Sequence, residues 1–345
     1  MKVSDFRSDT VTRPTPEMLE AMVRAEVGDD LLGDDPTVKR LEALAAERTG
    51  KEAALFLVSG TMANQVAAAV WCRPGDEVIL EEGSHPIHFE SGALARIAGV
   101  QIRPIPGSRG AMDPGDVERA VRPDKPWHPR SSLVVVEQTH LGSGGSVLPL
   151  ENLRGIREVA ARKRLRVHVD GARLFNAVVA SGIPASAHAE CADSITFSLS
   201  KGLCCPVGSL LCGPAPFVSE ARRVRKALGG GWRQAGYLAA AGIYALERMV
   251  ERLAEDHALA KGLAAGLAQT PGLEVDPSGV ETNVVFVRVR HPMGPDRFVK
   301  GLEERGVRAS AYTLDVVRFV THRDVGPADA ERAIREVAHV LSGRG

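Results

Sequence analysis

The sequence predicts an α/β protein, with a mainly parallel central sheet in a large domain and a small C-terminal α+β domain after it. Three observations carry this. Short apolar, β-branched runs alternate with longer helical stretches through the first two thirds of the chain, the pattern of strand–helix–strand units. Several of those runs are almost wholly apolar, as strands covered on both faces must be. Near residue 230 the alternation gives way to Ala/Leu/Glu-rich helix. A chain of 345 residues is also long enough for about two domains.

The elements follow in order. Asp29-Asp30-Leu31-Leu32-Gly33-Asp34-Asp35-Pro36 reads as a polar loop, and Pro36 suits the start of a helix over 37–48. Little strand signal precedes it. Strands are predicted at Ala53–Val58, Glu77–Leu80, Val100–Ile105, Leu133–Val136, Val167–Val169, Ser194–Ser198 and Ser209–Cys212, with helical stretches such as Thr61–Cys72 and Leu150–Lys163 between them. Gly229-Gly230-Gly231 opens a loop, and Gly236–Leu267 reads as helix, interrupted at most once. A strand over Asn283–Val289, a turn at His291–Pro295, a helix and a strand over Val316–Val320 make the small unit. The expected division is 1–48, a segment packing on the large domain and a dimer interface; 49–250, the large domain; and 251–345, the small one.

Composition excludes several function classes. Lys+Arg and Asp+Glu both number 43, so no basic excess is present for nucleic acid or an anionic membrane. Hydrophobic residues at 44% and charged residues at 25% match ordinary globular usage. Aromatics are only 4%, so aliphatic and alanine packing must fill the core. Cys72, Cys191, Cys204, Cys205 and Cys212 form an odd set with no CxxC pair, which suggests reduced, buried thiols and a reducing compartment. The start, Met1 to Arg7, lacks the apolar stretch of a signal peptide. The longest apolar run, Leu238 to Leu246, falls well short of the roughly 18 residues of a membrane span. A cytoplasmic protein is expected.

Ser198-Leu199-Ser200-Lys201-Gly202 directly follows a predicted strand. A lysine at the carboxyl end of an interior strand faces the crevice where α/β sheets bind ligands, and desolvation there favours the neutral amine that carbonyl chemistry needs. Alone, it reads first as a surface lysine at a strand end. His168-Val169-Asp170-Gly171-Ala172-Arg173 ends another strand, 31 residues upstream of Lys201, about one strand–helix–strand step away. Asp170 alone could be structural; with Lys201 on one crevice it suits pyridoxal phosphate, the Asp keeping the ring nitrogen protonated and the Lys bonding the aldehyde carbon. Val58-Ser59-Gly60-Thr61 opens a helix whose first N–H groups can hold a phosphate, although the same residues make an ordinary helix cap. Gly142-Ser143-Gly144-Gly145-Ser146 matches neither a dinucleotide fingerprint nor a Walker loop. Ser198-x-x-Lys201 matches the SxxK of serine acyl-enzymes, but no Ser-Asp-Asn or Lys-Thr-Gly partner occurs. His85-x-x-His88-x-Glu90 offers metal-ligand residue types without an HExxH pattern, and no metal is expected.

The longer words are more specific. Arg7-Ser8-Asp9-Thr10-Val11-Thr12-Arg13-Pro14, Val27-Gly28-Asp29-Asp30, Gly33-Asp34-Asp35-Pro36-Thr37, Gly50-Lys51-Glu52-Ala53-Ala54, His168 to Arg173, Leu199-Ser200-Lys201-Gly202, Gly229-Gly230-Gly231 with Arg233-Gln234, and Val320-Thr321-His322 span nearly the whole chain. With them the sequence resembles the low-specificity L-threonine aldolases, of the aspartate-aminotransferase-like type I fold of pyridoxal 5'-phosphate enzymes. The resemblance implies a lyase that cleaves L-threonine or L-allo-threonine reversibly to glycine and acetaldehyde. It implies Lys201 as the cofactor-bonding lysine beside Ser200, Asp170 as the ring-nitrogen partner, and Gly60 and Thr61 as the phosphate turn. His85 matches the ring-stacking histidine and candidate base, and His140 a second histidine near the substrate hydroxyl. Ser8, Arg173 and Arg318 match the carboxylate-holding groups, with Arg173 also counted toward the cofactor. Arg233, with Lys226, matches basic residues that reach the phosphate from a neighbouring subunit, implying a homotetramer built as a dimer of dimers. The chain departs from the family pattern at Leu141, where Asn is common, and in Glu82 to His88, where an aromatic usually follows the stacking histidine. Other reactions on this scaffold (β-elimination, racemisation, phenylserine cleavage) and a non-catalytic cofactor-binding protein are the alternatives.

Overall fold

The computed structural model describes residues 3–342. Helix α1, Pro36–Thr49, starts where Asp35 accepts the N–H groups of Thr37 and Val38 and ends on left-handed Gly50, a full set of start and stop devices. Strand β1, Ala53–Leu57, leads through Ser59, whose hydroxyl accepts the Met62 N–H, into α2, Gly60–Trp71. Strands β2, Glu77–Glu81; β3, Gln101–Ile105; and β4, Ser131–Glu137, follow. Helix α3, Leu150–Lys163, connects β4 to β5, Arg166–Gly171, and then come β6, Ser194–Ser198, and β7, Ser209–Gly213.

These strands form one seven-stranded sheet in the order β1-β7-β6-β5-β4-β2-β3, parallel except for the reversed β7. Alternate side chains enter opposite cores. Phe56, Val134, Val136, Val169 and Phe197 face one cluster, while Leu55, Leu57 and Leu211 face α2 on the other side. Both faces are dry, which explains the unbroken apolar runs; each fully buried side chain contributes about 1.5–3 kcal/mol.

The helical stretch after residue 236 is two helices, α4, Gly236–Arg248, and α5, Leu253–Leu267. Beyond them lies a four-stranded antiparallel sheet: β8, Leu273–Glu274; β9, Val284–Val289; β10, Ser310–Ala311; and β11, Val316–Val320, in the order β8-β9-β11-β10. Helix α6, Pro327–Leu341, packs over it, and this unit has its own core of Val285, Phe298, Val317 and Phe319.

The first residues depart from expectation. Ser4–Asp5 pairs in parallel with Val307–Arg308, and Phe6 is buried beside Phe319, ring centroids 6.1 Å apart. Residues 4–6 therefore join the C-terminal unit, while Met18 and α1 pack on the large sheet. A two-residue strand with one apolar anchor carries too little periodicity to be seen in the sequence. All five cysteines are buried and unpaired, and burial pushes the thiols of Cys72 and Cys212 up to about 12. Among the described residues no helix is long and apolar enough to cross a membrane.

Candidate active site

Parallel strands present their carboxyl ends along one edge, and that edge collects the polar residues. Glu137, last in β4, pairs in register with Asp170 in β5, which pairs with Thr196 in β6. Ser198, ending β6, lies opposite Ser209, which lies opposite Leu57 at the end of β1. Lys201 follows three residues after Ser198, and the Gly60–Thr61 start of α2 follows three after Leu57. The sheet thus brings Lys201, Asp170, Gly60 and Thr61 to one crevice.

Their surroundings define what they can do. Burial, reinforced by the Arg173 charge, holds the Lys201 ammonium below its ordinary pKa against the pull of Asp9, Asp170 and Glu137. A neutral amine is the nucleophilic form. Asp170 is buried; its Oδ2 accepts from Asn64 Nδ2 at 2.8 Å and its Oδ1 from the Ala172 N–H at 3.1 Å. The N–H groups of Gly60 and Thr61 stand at the helix start, where no acceptor four residues back exists. A Cβ at Gly60 would come within 3.1 Å of Ser198 Oγ, so a bare backbone lines that wall. Ser200 is partly buried beside Lys201.

Arg173 caps the strand end and meets buried Asp9, Nε to Oδ2 at 2.8 Å and Nη2 to Oδ1 at 2.7 Å. Burial alone would raise the Asp9 carboxyl, but Arg173 and Lys201 hold it well below the usual carboxylate range. Two of the Arg173 N–H groups are spent on Asp9, which leaves Nη1 and the second Nη2 N–H for a ligand. Ser8 sits next to this pair, its Oγ accepting from the Thr10 N–H and hydroxyl. Arg318, on β11, donates from Nη2 to the Arg7 carbonyl at 3.0 Å and lies over the Tyr312 ring, while its Nε is buried with no partner. Burial and the Arg173 charge both lower the Arg318 pKa. An anion there would relieve both.

The two histidines differ. His85 is partly exposed, its backbone N–H donating to Glu137 Oε2 at 2.8 Å and its Nδ1 lying 3.1 Å from Glu90 Oε1. The Phe89 ring stands 5.5 Å from it, so the aromatic that seemed displaced in the sequence reaches the histidine after one helical turn. His140 is almost fully buried, with Nδ1 3.0 Å from Ser143 Oγ and Nε2 2.8 Å from Glu81. Burial works against charge on this ring, yet Glu81 and Glu137 outweigh it and raise the His140 pKa. His140 is thus enclosed, and its Nε2, although close to Glu81, has no hydrogen-bond partner among the described residues. Its pocket is shaped by Gly110 (φ +85), where a Cβ would fall 2.2 Å from His140 Cγ. Gly110→Ala is expected to destabilise the fold by about 3 kcal/mol through left-handed strain plus overlap, measured by urea unfolding.

Arg233 lies on the surface, its Nη1 2.9 Å from Asp29 Oδ2, and has no partner in the Lys201 cluster. His88 turns away from Glu90, toward the Glu82 carbonyl at 2.7 Å, so the His85, His88 and Glu90 set does not converge. His85, Glu90 and Asp170 do, with ligand atoms within 4.8 Å of one another, but the Asn64 amide donates to both carboxylates there. Sequence reasoning missed Asn64, Glu90, Glu137 and Asp9 as site residues. A helix-disfavouring Asn amid the Ala and Val of α2 was the available signal for one of them.

A strand-end edge with a partly buried lysine, a buried aspartate and a helix start beside them places the chain in a class, and the family comparison gives that class its name: the chain belongs to the beta-eliminating lyase family, which matches residues 5–291. It is 45% identical over 322 residues to the low specificity L-threonine aldolase of Escherichia coli strain K12, covering 93% of this chain and 94% of that one. Among solved structures, the threonine aldolase of Leishmania major superposes with a TM-score of 0.84 at 20% identity over 98% of this chain and 99% of that one. An aspartate aminotransferase of Thermus thermophilus superposes with a TM-score of 0.76 at 18% identity, over 99% and 92% of the two chains. The fold is the aspartate-aminotransferase-like type I fold.

Proposed function

We propose that the chain is a pyridoxal-phosphate-dependent aldolase that cleaves L-threonine and L-allo-threonine to glycine and acetaldehyde. The observation that carries it is the neutral-leaning Lys201 amine on the same strand-end crevice as the buried Asp170 carboxylate. Identity of 45% to a low specificity L-threonine aldolase over nearly the whole chain supports the substrate.

The donor set fits the cofactor: an amine for its aldehyde, a carboxylate for its ring nitrogen, and free helix-start N–H groups with the Thr61 and Ser200 hydroxyls for its phosphate. When bound, pyridoxal phosphate supplies an electron-accepting ring that stabilises negative charge at a substrate α-carbon. The chain's own groups do the rest. Arg318 holds the amino-acid carboxylate, with Ser8 and Arg173 Nη1 beside it, and so fixes which α-carbon bond is aligned to break. His85 Nε2 accepts the β-hydroxyl proton as the Cα–Cβ bond breaks. Asp9 keeps Arg173 in place.

Arg318→Ala is expected to raise KM for threonine by about 10-fold to 100-fold, the worth of a charge-assisted hydrogen-bonding group, in an aldehyde-release assay. The reading as a whole is tested by visible spectra of the purified protein before and after L-threonine and L-allo-threonine, with aldehyde followed in parallel. A colourless protein that takes up no cofactor would overturn it.

The proposal extends to assembly and place. Arg233 belongs to a site built across copies of the chain in a homotetramer, which light scattering after size exclusion would register. Five unpaired, buried cysteines agree with the cytoplasm.

A further inference from the structure

Glu90 has no part in the chemistry above, yet it sits at the junction of the two residues that chemistry uses most. We propose that Glu90 is a positioning residue that sets the tautomer of His85, with Asn64 tying it to Asp170, so that the open nitrogen of His85 is Nε2.

The protons can be followed along a buried chain of hydrogen bonds. An indole N–H is a donor only, and Trp71 Nε1 meets Ser194 Oγ at 2.9 Å. Ser194 Oγ, which has a second lone pair as well as its own proton, also lies 2.9 Å from His168 Nδ1. Burial pushes the His168 pKa down to about 4, so this ring is neutral with one proton. Because the Asp170 carboxylate takes the Asn64 Nδ2 end, Asn64 Oδ1 faces Nε2 and calls the proton there. That nitrogen donates to Asn64 Oδ1 at 3.2 Å. On the same amide, Nδ2 points the other way and donates to Glu90 Oε1 and Asp170 Oδ2, both at 2.8 Å.

Glu90 Oε1 is therefore an acceptor, and it faces His85 Nδ1 at 3.1 Å. Only an Nδ1–H can meet it. In a neutral imidazole the proton on one nitrogen leaves the lone pair on the other, and His85 Nε2 has no hydrogen-bond partner among the described residues. Glu90 cannot swing aside easily. It is 3% exposed, and its Oε2 is buried with no partner, so Oε1 alone holds the side chain to its neighbours. The His85 backbone is pinned independently by Glu137. One glutamate thus joins the proton-accepting histidine to the Asp170 carboxylate through a single amide. The proton that Nε2 receives depends on the proposed function; the tautomer does not.

The test is a long-range 1H–15N correlation spectrum of the histidine rings in the full-length purified protein at pH 8, with His85 assigned by the signals lost in His85→Phe. The wild type is expected to show His85 with a protonated Nδ1 and a bare Nε2. Glu90→Gln keeps an oxygen in reach of both N–H groups and should preserve that pattern. Glu90→Leu should move the proton to Nε2. In threonine cleavage Glu90→Leu is expected to lower kcat about 100-fold, the scale of a misplaced general base, with KM little changed and activity largely restored in Glu90→Gln. A bare Nδ1 in the wild type overturns the proposal whether or not any variant folds, and so does a Glu90→Leu protein that keeps the proton on Nδ1. A wild type that follows the expected tautomer pattern yet cleaves no β-hydroxy amino acid supports the positioning role while removing the aldolase reading.

Discussion

Lys201→Ala is expected to abolish turnover, with a loss on the order of 10^4-fold or more, the cost of deleting a covalent catalytic group. The amine stands at the strand-end crevice with burial favouring its neutral form. No neighbour can substitute: Arg173 is committed to Asp9, and arginine stays protonated at any ordinary pH. The variant should also lose the visible absorbance of lysine-bound cofactor, whereas Lys201→Arg retains charge without restoring either property. Borohydride reduction followed by peptide mapping should place the label on Lys201 in the wild type. A label on another lysine, or wild-type colour and turnover in Lys201→Ala, would remove the assignment.

The second large effect is on stability. Asp9→Ala strips both acceptors from the Arg173 guanidinium and one from Asn283 Nδ2, 3.2 Å away. Leaving a buried charge uncompensated costs about 3–5 kcal/mol, a large part of the roughly 5–15 kcal/mol that holds a domain together. The pH dependence has a definite sign. The folded Asp9 carboxyl is held below its unfolded value, so its stabilisation is full above the unfolded pKa of about 3.9 and declines as pH falls toward the folded one. Urea midpoints at pH 7 and pH 3 should differ less for Asp9→Ala than for the wild type. Equal acid sensitivity in both proteins would mean that the pair contributes nothing to acid stability.

Most strands of the large sheet were legible because they carry an apolar centre, which β3, with Arg103 and Pro104 in its middle, does not; β6 was placed to the residue, and the ends of β4 and β5 were missed for a related reason. β4 was read as Leu133–Val136 and β5 as Val167–Val169, but the ladders run on through Glu137 and through Asp170 to Gly171. Hydrophobic patterning stops where a strand meets the crevice, so it truncates the strands at the residues that do the chemistry. Helix α3 was placed to the residue because its polar and apolar faces alternate regularly from Leu150 to Lys163. Lys201 and Asp170 could be inferred only together, as two strand ends on one sheet edge; either alone read as structural. Asp9 could not: it reaches Arg173 across 164 residues, and nothing local in Arg7-Ser8-Asp9 announces a buried ion pair. His140 entered as a site residue only through the family resemblance, and the glycine-lined pocket that encloses it is visible only in three dimensions.

The sealed position of all five thiols makes them a clock. A chromogenic disulfide reagent should find almost nothing to react with on the intact molecule, and each sulfur should enter the reaction only when its surroundings open. Cys212, in the reversed strand, would report rupture of the central sheet, and Cys72, at the foot of α2, the peeling of that helix. Labelling kinetics at the separate positions would therefore order the events of opening without any engineered probe.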